Sequence, residues 1–328
     1  MEAVYVSNES YARHLGVSMY SLFDNNMRCE KIRVTVLSTG IGEESQRNLR
    51  FIADAFGREI VFYDLSDLKD RLGFQIDTGK FDISTMGRLL IGEVLPEETE
   101  RVLYLDCDTV VLRPLDKMYR TDLGGNILGA VPEPTIYPEV RKYLGLADGD
   151  TYFNAGVLLI DLKKWRAENV RDRVLSCYRT IADKSLFNDQ DALNGALKGR
   201  ILSLSPVYNF FTNYRYFRYE YLAHTAPSYR RVAKSDFELA KHHPAVLHFA
   251  GDERPWKAGS LNHYRAAYEK YLDLTPWRGT AREPGSAGTL FLYHMMEWIT
   301  FFFPEVRKKI SGRYVQKLIR ERENRAEH

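Results

Sequence analysis

Short β-branched runs alternate with helix-period segments along most of this chain, and that alternation limits the folds open to it. Residues 3–7, 33–39, 60–64 and 102–105 read as strands. Between the early ones, residues 11–25 place Leu15, Met19, Leu22 and Phe23 at helical spacing, and residues 43–56 have the same character. A further helix is expected near 85–93. Strands are expected at 126–131, 156–160, 201–204 and 246–249, with helices at 170–182 and 190–197. Such alternation implies an α/β fold with a mainly parallel central sheet covered on both faces. Ligands in these sheets bind beyond the carboxyl ends of the strands.

One strand end stands out. In "ERVLYLDCDTVVLRPLD" the apolar run Val102 to Leu105 meets two carboxylates, Asp106 and Asp108, before apolar residues resume at Val110. In extended chain, residues i and i+2 share a side, so the two acids can converge while Cys107 faces away. Paired carboxylates repel unless a cation lies between them, and hard divalent ions favour such oxygens. A polar turn that caps the next element is the plainer alternative. His248 ends a second apolar strand pattern, "AVLHFAG". With the two acids it completes an O,O,N donor set suited to Mn²⁺; a core histidine with a satisfied ring is the other reading.

Composition narrows the function classes. The 328 residues are 45% hydrophobic and 27% charged, enough for one large core or two smaller ones. A net charge of +2 gives no footprint for nucleic acid. Positive charge collects in residues 305–328, where eight basic groups face four acidic ones. Cys29, Cys107 and Cys177 are widely spaced, which fits a reducing compartment. No signal peptide is evident at "MEAVYVSNES", and no apolar run reaches the ~20 residues of a membrane span. A cytoplasmic setting is expected.

Other stretches carry polar residues where ligands would lie. In "TYFNAGVLLIDLKKW", Asn154 opens a strand and Gly156 could admit a ligand close to the backbone. In "FNDQDALNG", Asp189 is a candidate N-cap, Gln190 faces the space beyond the helix start, and Asp191 suits the helix dipole. Arg88 lies in a helical segment. Arg254 and Lys257 flank Pro255 and Trp256 in a glycine-bounded loop, a pattern that suits either a diphosphate or plain solvent. The aromatic stretch 208–229 reads as loop and is placed to meet an acceptor. Residues 276–289 are rich in Gly, Pro and Ser and read as a linker. The tail 290–328 joins an aromatic half to a basic half, so it either lies on an anionic membrane or packs on the domain.

The ordered set "RLLIGEVLP", "RVLYLDCDTVVL", "YFNAGVLLIDLKKW", "NDQDALNG" and "HFAGDERPW" resembles glycosyltransferase family 8, in particular the bacterial lipopolysaccharide α-galactosyltransferases. The resemblance spans residues 1–275, leaving the linker and the tail outside it. It implies a Rossmann-like GT-A fold, a UDP-sugar donor, Mn²⁺ or Mg²⁺, and transfer to a saccharide or glycolipid acceptor with retention of configuration. It places Asp106, Asp108 and His248 on the metal, and Val6, Ser7, Asn8 and Tyr11 at the uridine end of the first strand. It sets Arg88 and Cys107 within the donor site. Gly251, Arg254 and Trp256 fall in the loop over the diphosphate. Asn154, Asp189 and Gln190 surround the transferred sugar. The chain departs from the family pattern at Asn8, where an acid is usual, at Met86, where an aromatic is usual, and at Arg254, where lysine is usual. A sugar-nucleotide pyrophosphorylase would carry a Gly-rich basic loop after the first strand, which "VSNESYARHLG" lacks. A non-catalytic carbohydrate-binding protein on the same fold is the remaining alternative.

Overall fold

A computed structural model describes residues 1–74, 78, 82–251 and 253–326 of the protein. Ten strands are found among them: β1 (Glu2–Ser7), β2 (Arg33–Ser38), β3 (Glu59–Asp64), β4 (Arg101–Leu105), β5 (Thr109–Val111), β6 (Leu128–Pro132), β7 (Phe153–Asp161), β8 (Ile201–Ser203), β9 (Phe210–Phe211) and β10 (Val246–His248). Seven form the central sheet in the order β3-β2-β1-β4-β7-β6-β8. Its pairs are parallel except where β7 runs antiparallel to both β4 and β6. The expected mainly parallel, doubly covered sheet is therefore present.

Period-2 alternation divides the sheet between two apolar layers. Val4, Val102, Tyr104, Leu158 and Ile160 pack on one face, under the helices Val170–Ile181 and Asp189–Ala196. Tyr5, Leu103, Leu105, Val157 and Leu159 pack on the other, against the helices Ala12–Asn25 and Glu43–Ala55. From Val102 onward β4 is buried on both sides, which is why that part of its sequence is apolar without a break.

Several expectations are corrected. The strand pattern at 246–249 does not join the main sheet; β10 pairs with β5 and β9 in a separate three-stranded sheet. Residues 85–93 are mostly a 3₁₀ segment, Ile83–Leu90, followed by one α-turn, Ile91–Val94. The stretch 208–229 is not an open loop. It contains a 3₁₀ segment, Thr212–Tyr216, and a helix, Tyr219–Thr225, and its Phe210, Tyr214, Phe217 and Tyr229 are core residues of a third cluster. So many aromatics bury too much apolar surface to stay in solvent.

The chain ends in two helices, Ala287–Phe302 and Pro304–Ala326. Val315 of the second is buried in a small cluster with Ile136, Val140, Tyr152 and Leu186. Among the described residues no helix is long and apolar enough to cross a membrane.

Candidate active site

Two strand pairings assemble the site. β4 ends at Leu105, opposite Val157 of antiparallel β7, so the start of β7 lies against the end of β4. The Asp106 amide donates to the Gly156 carbonyl at 2.8 Å and fixes this junction. In the small sheet His248 is in register with Thr109, one residue past Asp108.

Ligand atoms of Asp106, Asp108 and His248 consequently lie within 4.8 Å of one another. The His248 Nε2 is 3.2 Å from Asp108 Oδ1 and 3.9 Å from Asp106 Oδ2. Its Nδ1 donates to Asn209 Oδ1 at 2.9 Å, which aims Nε2 at the carboxylates. Burial alone would raise the Asp108 carboxyl, but His248 and Arg254 outweigh it and hold the group below the usual carboxylate range. Burial works against a charged His248, yet Asp108 and Asp106 raise its pKa overall. Two carboxylate oxygens and one oriented imidazole nitrogen fit a divalent cation.

Gly156 makes this packing possible, though not by admitting a ligand as its sequence context suggested. A Cβ there would fall 2.3 Å from His248 Cε1 and 2.9 Å from Asp106 Oδ2. Only glycine lets both side chains cross that point.

Arg88 is buried and joins Asp106 to Asp189. It pairs with Asp106 Oδ1 at 3.1 Å and with Asp189 Oδ2 at 2.8 Å, bonds the Ala155 carbonyl, and stacks 4.5 Å from the Tyr104 ring centroid. Burial pushes Asp189 up to about 6 against the pull of Arg88. Asp189 therefore pairs with Arg88 instead of capping its helix. Gln190 is held from all sides. Its Oε1 accepts from Asn154 Nδ2 at 2.7 Å and from the Ala155 amide at 2.9 Å, while its Nε2 donates to Glu133 and to Tyr152 Oη, both at 3.0 Å. Asn154 Oδ1 accepts from Asn209, so one chain of hydrogen bonds runs from His248 to Gln190.

Asp191 lies in the first turn of its helix, as the dipole reading expects, and is also a fully buried anchor. It accepts hydrogen bonds from Tyr143, Tyr152 and Ser185 side chains and from the Leu186 and Phe187 amides, at 2.7–3.0 Å. Asn188, just before the helix, adopts φ 45 and ψ −108. Its side chain donates to the Thr78 carbonyl at 2.9 Å and accepts from Arg322 of the last helix at 3.2 Å.

At the other end of the site, Val6 and Ser7 close β1, and the Asn8 side chain caps the following turn by accepting from the Tyr11 amide at 3.2 Å. Arg254 reaches the Tyr11 hydroxyl and lies 3.6 Å from Asp108 Oδ2. Gly251 supplies the loop's left-handed turn at φ +101, and Asp252 is outside the described residues. Trp256 is not a wall of the site: its ring is buried and stacked 3.9 Å from His14, where it anchors the loop. The Cys107 thiol points inward to the Val6 carbonyl at 3.2 Å, and burial raises its pKa, so the side chain is inert toward a ligand.

Sequence reasoning missed Glu133, Tyr104 and Asn209. Glu133 directly follows β6 and accepts from both Asn154 and Gln190; burial pushes it up to about 7 despite those bonds. The rule that singled out Asp106, a carboxylate at a strand's carboxyl end, applies to Glu133 equally. Asn209 carries no comparable signal, since its role depends on which strand lies beside β10.

Residues 2–259 match the family described as Glycosyl transferase family 8. The solved structure of galactosyltransferase LgtC, in complex with donor and acceptor sugar analogues, is similar with a TM-score of 0.73 at 31% sequence identity. That likeness covers 84% of this chain and 96% of LgtC. The lipopolysaccharide 1,2-glucosyltransferase of Escherichia coli K12 is 24% identical, over 85% of this chain and 79% of its own length. General stress protein A of Bacillus subtilis is 26% identical, over 84% and 94% respectively. The sheet order, the site at the carboxyl ends of its strands and these similarities agree: the chain belongs to glycosyltransferase family 8, a sugar-nucleotide-dependent transferase on a GT-A fold.

Proposed function

We propose that this protein transfers a hexose, galactose or glucose, from a UDP-sugar to a saccharide acceptor with retention of configuration. Asp106, Asp108 and His248 hold Mn²⁺ in this reading, and their convergence within 4.8 Å is the observation that carries it. The bound dication supplies neutralisation of the negative charge on the departing diphosphate. Arg254 adds positive charge beside Asp108, and the loop anchored by Trp256 excludes water from the site.

The surroundings of the sugar favour attack from the leaving-group face. A two-inversion route needs a free carboxylate on the opposite face. Asp189 is tied to Arg88, Asp191 accepts five hydrogen bonds, and Glu133 is partly protonated at neutral pH. Gln190 carries an amide, a poor nucleophile, and is positioned to stabilise the oxocarbenium-like sugar. A phosphate oxygen of the leaving UDP takes the acceptor proton.

The acceptor is a lipid-linked surface saccharide met at the cytoplasmic face of the membrane. Phe291, Leu292, Met295, Trp298 and Phe302 are exposed on the first tail helix, and Lys308, Lys309 and Arg313 are exposed on the second. Apolar side chains beside basic ones suit an anionic interface.

Measuring UDP release from UDP-galactose, UDP-glucose and UDP-N-acetylglucosamine, with and without Mn²⁺, tests the core of the proposal. Release should require the metal and vanish in Asp108→Asn; metal-independent release, or none with any donor and acceptor, overturns it. A glycosyl adduct trapped on Asp189 or Gln190 overturns the front-face route. For the membrane reading, Leu292→Ser with Phe302→Ser should abolish sedimentation with anionic liposomes, and unchanged sedimentation removes it.

A further inference from the structure

A second convergence of metal-type ligands lies away from the donor site. Glu253 sits on the donor loop, one residue before Arg254. His294 and Glu297 stand at i and i+3 on the helix Ala287–Phe302, a spacing that puts both on one face. The His294 Nδ1 is 3.2 Å from Glu253 Oε1 and 3.7 Å from Glu297 Oε2. Ligand atoms of all three lie within 4.8 Å of one another.

Two observations separate this cluster from an ordinary acidic surface patch. Glu253 and Glu297 are 6% and 2% exposed, so two carboxylates share a nearly dry interface between loop and tail. Within that interface Glu297 Oε2 and His294 Nδ1 are buried and make no hydrogen bond among the described residues. A buried carboxylate oxygen without a hydrogen bond carries a large desolvation cost unless a proton or a cation meets it.

We propose that Glu253, His294 and Glu297 form a second divalent-cation site, distinct from the Asp106–Asp108–His248 site, that fastens the helix Ala287–Phe302 to the loop that carries Arg254. The donor set, two carboxylates and one imidazole, repeats that of the first site. Ligands about 2.0–2.2 Å from a tetrahedral ion lie roughly 3.3–3.6 Å apart, close to the spacings found here. Zn²⁺ and Mn²⁺ both accept these donors, and the usual affinity order favours Zn²⁺. The site links two parts of the enzyme. Through Glu253 it fixes the position of Arg254 beside Asp108, and through the helix it fixes the exposed aromatic face of the tail.

A proton is the competing occupant. Burial, reinforced by Glu253, raises the Glu297 pKa well above the carboxylate range. The indole of Trp298 donates to His294 Nε2 at 3.1 Å, which assigns the imidazole proton to Nδ1 in the metal-free form. Cation binding at Nδ1 must move that proton to Nε2 and so break the bond from Trp298, which is more than half exposed.

Equilibrium dialysis of the full-length, metal-stripped protein against Zn²⁺ or Mn²⁺, read by elemental analysis, decides between them. Wild type should hold two equivalents. Asp106→Asn with Asp108→Asn should hold one, and adding Glu297→Gln and His294→Asn to that variant should leave none. Titration of the Asp106→Asn, Asp108→Asn protein should also change tryptophan emission, and Trp298→Phe should remove that change. No ion in the Asp106→Asn, Asp108→Asn protein, or one that survives Glu297→Gln with His294→Asn, overturns the second site. Circular dichroism of each variant guards against misfolding. If the variants are unfolded, a tetrahedral Co²⁺ absorption band on the Asp106→Asn, Asp108→Asn protein supports the site and its absence overturns it. Failure of the donor-site reading has a separate signature, one ion in wild type that Glu297→Gln removes and Asp108→Asn does not.

Discussion

Gly156 is the position where a single methyl group should matter most. Its would-be Cβ overlaps both His248 and Asp106, so Gly156→Ala must displace at least one of them. Mn²⁺ affinity, followed by calorimetry, should fall roughly 10–100-fold, as when an orienting neighbour of a metal ligand is lost. Asp191 matters for a different reason. Asp191→Asn would turn an amide toward donors that now point at a carboxylate, and urea unfolding should show a loss of roughly 1–3 kcal/mol or more. Neither role was legible in the sequence. The crowding at Gly156 comes from residues distant in the chain, and so do the Tyr143 and Tyr152 hydroxyls that meet Asp191 in addition to its place in the first helical turn.

At the scale of elements, the strands were readable and their directions were not. Apolar periodicity marks a strand whether it runs parallel or antiparallel. The reversal of β7 is nonetheless what brings Asn154 and Gly156 to the end of β4. The pair of acids just beyond β4 was visible from spacing, and β10 was expected as a strand, whereas the contact with His248 depends on a three-stranded sheet whose other members, β5 and β9, are too short to announce themselves. The loop that carries Arg254 shows the same dependence on remote partners. Its Trp256 carbonyl and Ala258 amide both bond the Glu283 backbone at 2.9 Å, so a segment that composition marks as a linker supports the loop. With the loop braced there, Arg254→Lys should act locally. It loses the forked reach to Tyr11 and Asp108, and KM for the UDP-sugar should rise about 10-fold with a smaller change in kcat.

For the whole molecule, buried acids in the site link stability to pH. Glu133 has its pKa raised from 4.5 to about 7, chiefly by burial. A raised carboxyl favours the folded state below about 4.5 and withdraws that support as pH climbs through about 7. Unfolding free energies between these limits should fall more steeply with pH in wild type than in Glu133→Gln, by roughly 2–3 kcal/mol in total. The opposite slope comes from Asp108, whose lowered pKa adds stability above the ordinary carboxylate range, so the comparison with Glu133→Gln isolates the one group. The last helix also belongs to this account, because Arg322 is buried and grips Asn188 just before the helix Asp189–Ala196. A preparation that ended before Arg322 would keep every strand and all of Asp106, Asp108 and His248. It would still lose the clasp on the residue whose rare backbone angles launch Asp189 and Gln190, and its turnover would describe a slackened enzyme instead of the native one.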